Sequence, residues 1–165
     1  MVQGMMNLPD MLHARRASME EMLRLLVRER EAIIAFDTER LQEATARKLE
    51  VAAAMEVLDG DCRRLMAREA ERLGLPANAT LSPIIGRSAP AEQAELAALQ
   101  KKIASLAGEI RQMVDENRQF LGSSLTTINR SLAFFQSRFT VSETYGGSGQ
   151  MVERGANTRL LRKEI

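Results

Sequence analysis

Residues able to do chemistry are few in this chain and lie far apart. The single histidine is His13 and the single cysteine is Cys62, with no other nucleophile or base grouped around either one. A nucleophile needs a base within hydrogen-bond reach, and a catalytic or structural metal needs several ligands converging on one point. Neither residue meets those terms in sequence. The adjacent acids Glu20 and Glu21, like Asp115 and Glu116, leave a helix about 100° apart and make poor acid/base or metal pairs. The run Tyr145-Gly146-Gly147-Ser148-Gly149 has the glycines of a phosphate loop, but such a loop needs a strand before it and a helix after it. Here it follows a helical stretch. No catalytic residue, no cofactor and no metal ligand is expected, which disfavours an enzyme.

Composition points to long helices. Of 165 residues 27% are charged and only 4% aromatic, with no Trp, so bulky β-sheet formers are scarce while Ala, Leu, Glu, Arg and Met dominate. The net charge of +1 is spread as interleaved acids and bases, without a basic block carrying stacking aromatics. Nucleic acid is therefore not an expected partner. The segment Met1–Asn7 lacks the basic and apolar regions of a signal peptide, and the uncharged run Leu73–Gly86 is broken by Pro76 and Pro83, so neither secretion nor membrane insertion is expected. An unpaired Cys62 fits a reducing cytoplasm.

Three long helices follow from the periodicity. The first is placed at about 7–36, with Asn7 as N-cap, Pro9 and Asp10 in the first turn, and a stripe of Leu12, Met19, Leu23, Leu26 and Ile33 interleaved with Met22 and Ile34. Asp37 can end that element and cap the next, at about 38–73, whose inward residues are read as Leu41, Ala44, Leu49, Ala52, Met55, Leu58, Cys62, Leu65 and Met66. Gly60 weakens this helix without ending it, and Gly74 is a natural C-cap. Residues 74–90, holding three of the four prolines, read as a linker. The third helix is placed at about 91–139, with Gly108 and Gly122 as weak points. The fold expected is all-α: an elongated antiparallel three-helix bundle of coiled-coil-like helices over 1–139, followed by a flexible C-terminal tail at 140–165.

The third helix carries the functional argument. Read in sevens, it has Leu96, Ile103, Ile110 and Asn117 on one seam and Leu99, Leu106, Met113 and Phe120 on its partner. After Asn117 the seam moves by four, to Leu121, Ile128 and Phe135 with Leu125, Leu132 and Phe139, a stutter at which the packing partner is expected to change. At 1.5 Å per residue this helix outruns the second by about 20 Å if the two pack from the linker end. The overhang holds Ile128, Leu132, Phe134, Phe135 and Phe139, an apolar surface suited to a partner unless the first helix, a second copy or the tail covers it. Asn117 reads as a register-setting polar residue. The methionines, Met11, Met19, Met22, Met55, Met66 and Met113, are core filler or an adaptable binding surface. The closing Asn157–Ile165, with Leu160 and Leu161, can make about two helical turns with an apolar edge, too short to persist alone.

These parts, in this order, resemble the FlgN-type flagellar export chaperones. The residues that carry the likeness are the first-helix end running into Asp37, then Leu41 and Lys48-Leu49, Arg63 or Arg64, Asn117 followed by Phe120-Leu121, and the exit into Tyr145-Gly146-x-x-Gly149. The resemblance implies a cytoplasmic, non-enzymatic chaperone for hook-filament junction (hook-associated) proteins, one that covers their amphipathic terminal helices and presents them to the flagellar export apparatus. It places cargo binding at the end of the third helix and in the tail, around Phe135, Phe139 and Tyr145. Together with the apolar stripe, the expected partner-binding residues are Leu125, Ile128, Leu132, Phe135, Phe139, Tyr145, Leu160 and Leu161. The basic end after Gly149 departs from the family pattern. Two other classes fit the same physics: a structural coiled-coil protein that self-associates through the third helix, making a homo-oligomer, and a secretion chaperone for non-flagellar cargo.

Overall fold

The computed structural model describes residues 7–142, the last four by backbone alone. Among the described residues there are four helices and no strand: α1 (Leu8–Ile34), α2 (Thr38–Arg72), α3 (Leu81–Arg87) and α4 (Pro90–Ser142). Packing divides the described residues into two units, with the boundary between Ser124 and Leu125.

Local chemistry sets the helix ends. Asn7 caps α1 by accepting the Asp10 N–H on its side-chain oxygen at 2.8 Å, which satisfies one of the donors that a helix start leaves open. At the far end the Ala32 carbonyl accepts the Asp37 N–H at 2.9 Å and the Ile33 carbonyl accepts the Phe36 N–H at 3.2 Å. This is a Schellman closure, which needs a left-handed residue between helix and loop. That residue is Phe36, at φ 53°. Asp37 then starts α2 by accepting the Arg40 N–H at 3.0 Å. The same closure ends α2, with the Ala70 carbonyl accepting from Leu75 at 2.8 Å and the Glu71 carbonyl accepting from Gly74 at 3.0 Å. Here the left-handed residue is Gly74, at φ 69°, where the missing Cβ removes the strain.

Within the first unit, cross-helix pairs fix the directions. Arg15 pairs with Asp59 at 3.2 Å and Glu29 with Lys48, so α1 and α2 run antiparallel. His13 meets Glu95 at 2.8 Å and Arg30 meets Asn117 at 3.1 Å, so α1 and this part of α4 run parallel. One apolar cluster draws on all four helices, including Leu8 and Leu12 of α1, Cys62 and Ala70 of α2, Ile84 of α3, and Leu96 and Leu99 of α4.

The expected linker at 74–90 contains structure. Residues Leu81–Arg87 form α3, and Ile84 is fully buried in the shared core. Gln100 of α4 donates to the Ser82 hydroxyl at 2.8 Å, and Arg87 donates to the Leu73 carbonyl at 3.1 Å. The prolines therefore punctuate the segment without leaving it unpacked. Pro83 falls in the first turn of α3, where a missing N–H costs no internal hydrogen bond.

Three side chains expected inside α1 and α2 lie outside. Leu49 and Ala52 are exposed, and Val51 takes the inward place. Leu49 follows the buried Ala44 by five residues, which turns it about 140° away from the core face. Ile34 is exposed for a similar reason, being one step of about 100° beyond the buried Ile33.

Candidate functional site

The second unit presents an apolar helix face. Leu125, Ile128, Leu132 and Phe135 follow the i, i+3, i+7, i+10 spacing that places them within about 80° of one another on α4. All four are exposed. The ring of Phe134 meets that of Phe135 edge-on, with centroids 5.9 Å apart and planes at 72°, a favourable aromatic geometry. The Arg138 guanidinium lies 5.3 Å from the Phe134 centroid, within cation–π reach. Between Leu121 and Ser142 there is no acid, and Arg130 and Arg138 are the charged residues. Of the other expected binding residues, the Phe139 side chain, Tyr145, Leu160 and Leu161 lie outside the described residues.

In the first unit the notable feature is polar. Asn117 is only 3% exposed, and its whole amide is used. Its Nδ2 donates to the Leu26 carbonyl at 2.8 Å and to Glu29 at 2.9 Å, while its Oδ1 accepts from Arg30 Nε at 3.1 Å. Glu29 also accepts from Lys48, and Arg30 donates to Glu116. The result is one chain of charge-assisted hydrogen bonds through α1, α2 and α4, with each buried polar group answered. The Arg30 guanidinium lies 5.5 Å from the Phe120 centroid. Phe120, expected on the seam, is exposed on its outer side.

Electrostatics agree with that geometry. Hydrogen bonds from Gln112 and then Arg30 hold the Glu116 carboxyl below its usual value. Burial pushes the Cys62 thiol up, only partly offset by Arg15, so the thiolate that nucleophilic chemistry needs is disfavoured. His13 stands with Glu95 on the surface of α1 and α4. Among the described residues no group of three His, Cys, Asp or Glu side chains could hold a metal ion. A cleft of about 520 Å³ between α1 and α2 mixes Arg28, Arg40 and Arg47 with Glu31 and Glu43, and so selects no single ligand charge.

The arrangement presents an exposed apolar helix face in one unit and a cleft of mixed charge in the other. The family model described as FlgN protein matches residues 1–153. The chain belongs to the FlgN family. That match takes in Asp37, Lys48-Leu49, Asn117 and Tyr145 to Gly149 together. The role attached to the FlgN family is that of flagellar export chaperone for hook-associated proteins in general. No curated protein and no solved structure matches the chain. Among the described residues of this FlgN-family chain, no helix is long and apolar enough to cross a membrane.

The spacing of α4 exposed the apolar face to sequence reasoning, and it also singled out Asn117. The partners of Asn117 were not legible there. Glu29, Arg30, Lys48 and Glu116 look in sequence like ordinary solvated charges, and only packing reveals that they converge.

Proposed function

We propose that this FlgN-family chain is a cytoplasmic, non-enzymatic chaperone of flagellar type III export that takes hook-filament junction proteins as cargo. It shields an amphipathic terminal helix of the cargo and delivers it to the export apparatus. The observation that supports this reading is the exposed face of Leu125, Ile128, Leu132 and Phe135, whose spacing is that of a helix laid along a helix.

Water contact along four large apolar side chains is unfavourable by roughly 25 cal/mol per Å², and a cargo helix of matching spacing would remove much of it. The cargo's own apolar stripe would be hidden at the same time, which prevents premature association. Arg130 and Arg138, with no acid in the same stretch, favour a cargo helix whose apolar face is flanked by Asp or Glu. The antiparallel bundle of the three long helices serves as the stable base in this proposal. In this proposal Phe139, near the end of α4, extends the apolar face, and the residues beyond Ser142, Tyr145, Leu160 and Leu161 among them, add apolar contacts to the bound helix.

The test is Leu132→Asp combined with Phe135→Asp, assayed against a purified hook-associated protein. Two carboxylates placed in a dry helix interface should lower affinity by at least about 100-fold, with far-UV circular dichroism unchanged. Binding that survives the pair would remove the cargo site from this face.

A further inference from the structure

The outer face of α2 is apolar where a surface helix is normally charged. Leu49 is 68% exposed and Val57 67%, and Ala46 and Ala53 stand open between and beside them. At 100° per residue these four and Gly60 fall within about 80°, centred opposite the buried Ala44, Val51 and Cys62. The core therefore claims one side of α2, and a second apolar surface remains on the other. This face belongs to the first unit and is independent of the cargo reading.

Charge beside this face has a direction. Glu39 and Glu43 lie on one flank near the start of α2, and Arg64 and Arg68 lie on the same flank near its end; the other acids of that flank, Glu50 and Asp61, are paired with Arg47 and Arg64. Two copies related by a two-fold axis perpendicular to α2 pack antiparallel, and in that geometry each flank meets its own equivalent. A midpoint between Ala53 and Ala54 sets Glu39 opposite Arg68 and Glu43 opposite Arg64, each pair formed twice. Glu39, Glu43 and Arg68 have no ion pair among the described residues, and Arg64 holds only the exposed i,i+3 pair with Asp61, which is easily exchanged. The same register brings Leu49 beside Val57 of the second copy. It also lets the small Ala46 and Gly60 approach closely, where a Cβ on Gly60 would meet nothing nearer than the Arg64 guanidinium at 4.0 Å.

We propose that the outer face of α2 is a self-association surface, occupied by α2 of a second copy in antiparallel register around Ala53–Ala54. The strip from Glu39 to Arg68 is about 45 Å long and about 10 Å wide, so the dimer buries roughly 900 Å² in all, below the standard size for a stable complex. Glu56 at the margin opposite the Glu39 flank weakens it further. The dimer is weak and concentration-dependent.

Sedimentation velocity on the intact chain tests this with two charge-reversal variants, E39R/E43R and R64E/R68E. Wild type should associate reversibly at about 100 µM, while each variant alone, carrying like charges at all four facing positions, should associate at least about tenfold more weakly. An equimolar mixture of the two restores all four opposite-charge pairs and should recover association to at least the wild-type level. Circular dichroism establishes that both variants fold. A wild type that stays monomeric at about 200 µM overturns the proposal, as does a mixture no better than its components or variants that dimerise like wild type.

Discussion

At the scale of single residues, the clearest anomaly is Phe36. Its φ of 53° places a bulky side chain in the conformation that normally selects glycine, and at 59% exposure the ring recovers little by burial. Phe36→Gly should relieve that strain, offset in part by glycine's greater freedom when unfolded, for a net gain of about 0.5–1 kcal/mol. A rise in the urea midpoint at constant slope is the expected result. Glu116 makes a second prediction. Its carboxyl is held below the usual value by Gln112 and Arg30, so the folded state binds the proton less readily than the unfolded chain. Its stabilising contribution is complete at neutral pH, begins to fade as pH falls through the ordinary carboxylate range, and is gone below the depressed value. Thermal melts between about pH 6 and pH 3 should therefore fall less steeply for Glu116→Gln than for wild type. Parallel slopes would remove Arg30 and Gln112 as the cause.

At the scale of elements, α3 shows how a proline-rich stretch can be part of a core. Thr80, Ser82, Pro83 and Ser88 read as loop chemistry in sequence, yet Ile84 sits fully buried among residues of the other helices. The length of seven residues is too short for periodicity to identify, and its helicity depends on packing rather than propensity. Ile84→Ala should cost about 2–4 kcal/mol through lost burial and a cavity, measured by denaturant unfolding. An effect under about 1 kcal/mol would mean that the segment is only draped on the surface. The long helices were legible for the opposite reason. Asn7, Asp37 and Gly74 mark their ends by side-chain or backbone chemistry that acts within four residues. Burial along α4 also follows the sequence: Asn117 is inside, while Leu121, Leu125 and Ile128 are open, in step with the shift in the seam.

At the scale of the whole molecule, stability and binding are expected to separate. The shared core uses residues from Leu8 to Leu99, and the proposed cargo face begins at Leu125. Ending the chain before Thr140 should lower affinity for a hook-associated protein while leaving the melting temperature within about 2 °C of wild type, because the removed residues are poor in bulky apolar side chains. A drop of many degrees would instead make the tail part of the folded core. Self-association through α2 is a third separable property, since its charge pairs lie on a helix face that neither the core nor the cargo surface uses.

The sequence alone determined the helical class, the two caps, the glycine closure at Gly74, the apolar spacing of Leu125 to Phe135 and the likeness to the FlgN family. Each of these rests on residues close together along the chain or on a pattern repeated every turn. Only tertiary structure decided that Asn117 gathers Glu29, Arg30, Lys48 and Glu116, that Ile84 is core, and that Leu49 faces outward. Those outcomes depend on which faces meet among helices distant in sequence: a charge or a leucine carries no mark of its partner until packing removes one side of its helix from water.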